Sequence, residues 1–358
     1  MDVLLVSTGL GVGGAEMQVR LLANELQVRG LQVGVLALTG ENIIGGFNSE
    51  IKVFLLDLKK NPLSLVKGFL SFRRILNEIG VKVVHSHMIH ANIFVRFERM
   101  FGLSIKKLVC TSHNITEGGV VLNILYRLSD RWSDFNTQVS EKGYKLYIQK
   151  RLFKSRNSIF MPNGIKIIDT TNDHCKILLQ DKNNLKKILM VGRLYPAKGY
   201  DVAIAAFAEL AKQNVDFSVA IAGEGPERDR ISSLISRHHL KDKVTLLGLV
   251  ENVKELMLES DLFVMSSRWE GTPMVLLEAA ISCLPIVATD VGGIGDFLKD
   301  ESSLVQSDDY MGLASAILHK LTNPPLESDR LKFKEEVIKQ YNISSVVDKW
   351  LKIYFTNN

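Results

Sequence analysis

Cysteine is scarce in this chain. Only Cys110, Cys175 and Cys283 occur, an odd number set far apart with no metal-ligand spacing. That argues against a disulfide scaffold and a thiolate zinc site, and all three are expected to be reduced core residues. Long apolar runs are also missing, and none reaches the ~20 residues that cross a bilayer. No basic-then-apolar leader stands before the first strand; Asp2 runs straight into Val3-Leu4-Leu5-Val6. A cytoplasmic location is therefore expected. The chain has no Asp-x-Asp to hold a metal against a diphosphate, no G-x-S-x-G elbow and no G-x-x-x-x-G-K-[ST] loop. Those gaps weigh against metal-dependent diphosphate chemistry, serine hydrolysis and P-loop nucleotide hydrolysis. Neither a metal nor a cofactor is expected.

What is present points to two domains. The 358 residues are 46% hydrophobic, enough for two cores. The net charge of +5 hides an asymmetry: residues 1–165 hold 21 basic and 12 acidic residues, and the remainder is net acidic. A basic front half suggests an anionic partner there, whether membrane surface, lipid phosphate or nucleic acid. Two basic segments, Leu58–Leu76 and Lys142–Arg156, interleave Lys and Arg with apolar and aromatic residues. Both suit an anionic leaflet, unless their aromatics are core and their cations merely solvated.

The hydrophobic pattern alternates between periods of 2 and 3.6. Apolar strands are expected at Val3–Ser7, Gln32–Leu38, Lys52–Leu56, Val81–His85 and Lys107–Thr111, with helices between them. Met161-Pro162-Asn163-Gly164-Ile165 is a turn, and the polar stretch Ile168–Asn184 reads as a linker. A second alternating series starts at Lys187–Val191. Such alternation means an α/β protein with two doubly wound parallel sheets. A ligand cleft is expected between the carboxyl ends of the two sheets.

One stretch carries the most chemistry: Arg268-Trp269-Glu270-Gly271-Thr272-Pro273-Met274-Val275-Leu276-Leu277-Glu278. It follows the apolar run Leu262–Met265. Thr272 suits an N-cap and Pro273 the first helical position. The free amides of Met274, Val275 and Leu276 would then suit a phosphate. Glu270 and Glu278 stand roughly 12 Å apart at ~1.5 Å per residue, the span of a nucleotide-sugar. One carboxylate would take sugar hydroxyls, the other ribose hydroxyls. A Glu inside so apolar a helix needs a partner.

Other strand ends add to this. Gly9-Leu10-Gly11-Val12-Gly13-Gly14 follows the first strand and opens a helix, so it is a loop for phosphate or sugar approach, a tight turn, or a dinucleotide fingerprint. The dinucleotide reading lacks its acid, since Glu41 comes late. Arg193 and Lys198, in Gly192-Arg193-Leu194-Tyr195-Pro196-Ala197-Lys198-Gly199, offer a fork and a point charge to a diphosphate. Gly223-Glu224-Gly225 lies at the same rim. His113 ends a front-half strand and should face the cleft, where it could serve a sugar hydroxyl or an acid–base step. His85, His87 and His90 lie together in sequence, but a metal site is disfavoured for want of a carboxylate or thiol nearby.

Taken together, Gly13-Gly14-Ala15-Glu16, His113, Pro162-Asn163-Gly164, Gly192-Arg193, Lys198-Gly199, Gly223-Glu224-Gly225 and Glu-x₇-Glu at Glu270 and Glu278 resemble the retaining, nucleotide-sugar-dependent glycosyltransferases of the GT-B fold, family 4. The resemblance spans nearly the whole chain. It implies an acceptor-binding Rossmann-like domain over residues 1–165, completed by a C-terminal helix within 341–358. It implies a donor domain over residues 166–340, facing the first across the cleft. Arg193 and Lys198 would grip the donor diphosphate, with Gly271, Thr272, Met274 and Val275 at the helix start. Glu278 would bind ribose, Glu270 the sugar, and His113 would lie beside the transferred sugar. Gly13 and Gly14 would approach the phosphates or the acceptor. Pro273 departs from the family, where glycine is frequent, and removes one amide from the helix start. The expected enzyme is a retaining hexosyltransferase using a UDP-sugar and a lipid-linked saccharide acceptor in bacterial surface-polysaccharide synthesis. It would sit at the inner leaflet and bind no nucleic acid. The alternatives are a soluble acceptor, an NAD-dependent oxidoreductase, and a sugar-nucleotide-binding protein without catalysis.

Overall fold

The computed structural model describes residues 1–11, 13–40, 44–115, 119–167, 185–213, 215–271 and 273–356. Val12, Glu41, Cys175, Thr272 and the 168–184 stretch, all singled out above, lie outside the described residues. The chain divides into two compact units: Met1–Lys166 with Tyr341–Asn358, and Ile167–Gln340.

The first unit holds seven parallel strands, β1 (Val3–Ser7), β2 (Val33–Ala37), β3 (Lys52–Leu55), β4 (Val83–His87), β5 (Lys107–Ser112), β6 (Phe135–Gln138) and β7 (Ser158–Phe160). Their spatial order is β3-β2-β1-β4-β5-β6-β7. The order reverses between β1 and β4, the switch point where ligands bind in such sheets. β1 is buried along its whole length, as a central parallel strand requires. The helix Gly14–Val28 lays Val19, Leu22, Ala23 and Leu26 into the core at helical spacing. The helix Pro62–Ile79 starts under an Asn61 side-chain cap and ends at Gly80 in the left-handed region.

The helix Ile343–Phe355 belongs to this first unit. Its Val346, Val347, Trp350 and Tyr354 join the core cluster of Val3, Leu5, Val19 and Leu22. Arg29 clamps it from the Gly14–Val28 side, bonding Asp348 at 2.9 Å and the Ser344 hydroxyl at 2.5 Å. Ile165 and Ile343 exchange backbone bonds with Tyr341 and Ile165 at 2.7 and 2.9 Å. Trp350 is only 3% exposed. Trp350→Ala is therefore expected to cost about 3–5 kcal/mol, read by denaturant unfolding. A loss under about 1 kcal/mol would mean that the helix is not needed to complete the core.

The second unit holds six parallel strands in the order β10-β9-β8-β11-β12-β13. They are β8 (Lys186–Val191), β9 (Phe217–Ala222), β10 (Val244–Gly248), β11 (Leu262–Met265), β12 (Ile286–Thr289) and β13 (Leu304–Val305). The helices Tyr200–Leu210 and Tyr310–Thr322 pack against the sheet through Ala203, Phe207, Leu313 and Ile317. Each unit is thus a doubly wound α/β sheet of Rossmann type.

Several expectations need correction. Cys110 is buried and free, but Cys283 is disulfide-bonded, so the reading of three reduced cysteines fails there. β4 starts and ends two residues later than expected, because the polar His85, Ser86 and His87 are fully buried strand residues. The basic segments part ways. In Lys142–Arg156, Tyr147, Leu152 and Phe153 are core residues, so that segment offers solvated cations rather than an apolar face. In Leu58–Leu76, Phe72 is core, but Leu63, Leu65, Val66 and Leu70 stay exposed. No helix among the described residues is long and apolar enough to cross a membrane.

Candidate active site

In the second unit the loops after β8, β11 and β12 are tied into one framework. Lys198 forms an ion pair with Glu270 Oε1, and the same oxygen accepts the Ser267 hydroxyl at 2.9 Å. Ser267 is itself held, its carbonyl accepting the Thr289 hydroxyl at 2.5 Å. The Lys198 loop is fixed from beneath, where Ser266 Oγ donates to the carbonyls of Lys198 and Gly199, each at 2.9 Å. Gly199 has φ +61°, and a Cβ there would stand 2.1 Å from the Ser266 carbonyl oxygen. Only glycine permits that approach. Gly292 does the same for the other partner: φ is +64° and an added Cβ would lie 2.1 Å from the Glu270 carbonyl oxygen. Gly293 N–H then donates to Gly271 at 2.8 Å.

Arg268 locks this loop laterally. Its guanidinium binds Asp201 at 2.9 Å, Asp308 at 2.7 Å and the Pro196 carbonyl at 2.9 Å. The Asp201 bond, the largest influence, raises the Arg268 pKa. Burial, the largest single influence, would raise the Asp201 carboxyl, but its bond to and charge attraction by Arg268, with a backbone bond and Arg230, together hold it below the ordinary range. Arg193 differs from Lys198. It is exposed, with its guanidinium 5.4 Å from the Tyr195 ring centroid.

The helix here spans Met274–Ile281, and Pro273 is its N-cap, with ψ 126°. It therefore begins one residue later than Thr272 and Pro273 suggested. Proline fixes φ but not ψ, and here ψ is extended. Leu276 N–H is turned inward onto the Pro273 carbonyl at 3.1 Å, so it does not join the first-turn amides of Met274 and Val275 at the open end. Gly271 is buried beside them. Glu278 is half-buried in this helix, with no bonded partner among the described residues. Burial raises its carboxyl pKa.

In the first unit, Gly13 caps the helix Gly14–Val28 without a side-chain bond. The Glu16 carboxylate lies over it, 2.3 Å from where a Cβ would stand. Described residues 38–40 at the end of β2 carry no acid. His113 follows β5 and is 6% exposed, so it is buried rather than open. Its Nε2 lies 3.1 Å from His87 Nδ1. His85, also buried, contacts Tyr354 at 2.5 Å and Thr111 at 2.6 Å. His90 is exposed and apart from them. The strand pairing of β4 with β5 thus substitutes His113 for His90 in the histidine cluster. No group of three or more metal-ligating side chains occurs among the described residues.

Burial pushes His113 down to about 4, and burial and then neighbouring imidazoles lower His85 and His87. The folded unit holds these rings neutral, whereas the unfolded chain takes up protons below its ordinary 6.5. Their stabilisation is complete above pH 6.5 and falls as pH drops. At ~1.4 kcal/mol per pH unit, His113 alone removes about 3 kcal/mol by pH 4. His113→Gln should flatten the pH dependence of urea midpoints between pH 7 and 4.5. An unchanged slope would contradict this assignment.

Two family models match the chain. One, described as Glycosyltransferase Family 4, covers residues 12–167. The other, Glycosyl transferases group 1, covers residues 176–340. The chain belongs to the GT-B glycosyltransferases of this family-4, group-1 type. It is 28% identical to the N-acetyl-alpha-D-glucosaminyl L-malate synthase of Bacillus anthracis over 290 residues, 76% of this chain and 73% of that protein. It is 25% identical to an uncharacterized glycosyltransferase of Haemophilus influenzae, over 94% of this chain and 95% of the relative. Among solved structures it resembles Anabaena HepE in complex with UDP, with TM-score 0.79, 17% identity and 99% of each chain covered. The oxidoreductase alternative falls with this assignment.

Sequence reasoning missed Ser267, Thr289, Arg268 and Gly292 as supports of the Glu270 loop. The glycine pair Gly292-Gly293 in the turn after β12 was the available signal.

Proposed function

We propose that the enzyme transfers a sugar from a UDP-sugar, with retention of configuration, to a lipid-linked saccharide in surface-polysaccharide synthesis. The Lys198–Glu270 ion pair carries the reading. A cation poised for phosphate and a carboxylate poised for sugar hydroxyls stand in contact on one rigid frame. In this reading Lys198 and Arg193 take the diphosphate, with the amides of Met274 and Val275, beside Gly271 and Thr272, at the helix start. Glu270 takes the sugar and Glu278 the ribose. His113 lies beside the transferred sugar, and the Gly13-Gly14 turn approaches the phosphates or the acceptor. The leaving nucleoside diphosphate gains charge as the bond breaks, and fixed cations lower that barrier. A phosphate oxygen can take the acceptor proton, so neither carboxylate need act as base.

The lipid-linked acceptor and inner-leaflet location are supported by the helix Pro62–Ile79. Exposed Leu63, Leu65, Val66 and Leu70 lie there beside Lys59, Lys60 and Lys67. Each cation near an anionic surface contributes about 1 kcal/mol. A soluble acceptor is the second reading, favoured by the relative named for malate glycosylation. That name also makes UDP-N-acetylglucosamine the first donor to offer. Release of UDP from any UDP-sugar with lipid-pyrophosphate saccharides is the expected result, and no turnover with any donor would sink the proposal. Flotation with anionic vesicles separates the acceptors: failure to float favours the soluble one.

A further inference from the structure

The helix Glu327–Tyr341 buries Arg330, Lys334 and Val337 at positions i, i+4 and i+7. An inward stripe of this spacing is ordinarily apolar. Arg330 is 7% exposed. Its Nη1 reaches a single acceptor, the Cys283 carbonyl, at 3.4 Å, and its Nε has no partner among the described residues. A guanidinium has five donors, and burying them unused is costly. Arg330 lines a cavity of about 250 Å³ whose apolar wall includes Leu284, Ile286, Leu298 and Phe333. Lys320 also borders it but is already committed to Asp300 and Ser302, at 2.5 and 2.9 Å. The cavity opens off the amino end of β12, where Pro285 and Ile286 enter the sheet. The Lys198–Glu270 loops follow the carboxyl ends of β8 and β11, so the two places lie at opposite ends of one parallel sheet.

We propose that this cavity is a second binding site, for a small organic anion: one carboxylate on a ring-sized apolar body. The fork of Arg330 matches a carboxylate, and the apolar wall takes the body. Asp329 and Glu336 also line the cavity and are exposed, and with exposed Lys299 they leave it without the net positive charge that would draw polyanions such as nucleotides. The site is independent of the transfer reaction proposed above.

The test uses the full chain with labelled Ile and Leu methyls, titrated with benzoate, acetate and benzyl alcohol. Benzoate should shift the Ile286, Leu284 and Leu298 methyls saturably, about tenfold more tightly than the half-probes, since it alone meets both fork and wall. Arg330→Met should weaken benzoate about tenfold while UDP binding is unchanged. Equal shifts from all three probes, no saturable shift, displacement of benzoate by UDP, or wild-type benzoate binding by folded Arg330→Met would each overturn the proposal. Should Arg330→Met fail to fold, the wild-type methyl titration still decides.

Discussion

Lys198→Met should lower kcat/KM by roughly a thousandfold, the scale set by removing one preorganised donor from a charge that grows in the transition state. The effect has two sources. In the proposed reading, the diphosphate loses a fixed cation. Glu270, 12% exposed at its side chain, loses its ion-pair partner and keeps, among the described residues, the Ser267 hydroxyl. An unpaired, largely buried carboxylate then draws its loop out of place. Lys198→Arg should recover little, because the fork is too wide for the position beside Gly192 and Gly199. Since Lys198 and Glu270 act on each other, the double variant Lys198→Met/Glu270→Gln should lose far less than the sum of the single losses. Initial rates at saturating acceptor measure this. A drop smaller than about tenfold in Lys198→Met would remove the lysine from the reaction.

Gly199→Val should destabilise the second unit by about 3 kcal/mol or more, or prevent its folding. The position has φ +61°, where a β-branched residue is strained, and the new Cβ would stand 2.1 Å from the Ser266 carbonyl oxygen. That oxygen cannot yield, because Ser266 is 1% exposed and continues the buried strand β11. For a unit of this size the cost corresponds to a melting shift of about 6–12 °C. Thermal unfolding with and without UDP would read it. A variant that melts within about 2 °C of wild type would show that the loop relaxes elsewhere.

The strands that were easiest to read are the ones built from Val, Leu and Ile. β1, β2 and β11 announce themselves because both faces are buried and the run is almost wholly apolar. β6 does not. Its Asn136, Thr137 and Gln138 are fully buried, and their polarity is satisfied by partners distant in sequence: Arg96 and Asp130 for Asn136, Thr111 for Thr137, the Asn114 carbonyl for Gln138. Hydropathy cannot register a strand whose burial depends on such a network. The histidines show the same limit. His87 and His113 are 26 residues apart, and only the pairing of β4 with β5 brings them together. Around Glu270 the residue types and strand ends were legible, but the frame was not. Ser267, Thr289 and Gly292 act through hydroxyl and backbone contacts that no spacing rule encodes.

The return of Ile343–Phe355 to the first core also bears on how the protein is made. On the ribosome, β1 to β7 emerge first, yet the surface meant for Trp350 and Val346 waits until the whole second unit has been synthesised. At 5–20 residues per second that delay is roughly 10–35 s. During it, apolar Val19 and Leu22 lack their final cover, so nascent chains stalled after the second unit are expected to need chaperone shelter that finished chains do not. The Ile343–Phe355 helix therefore converts the first unit from a dependent intermediate into a closed domain only after the second unit has been synthesised.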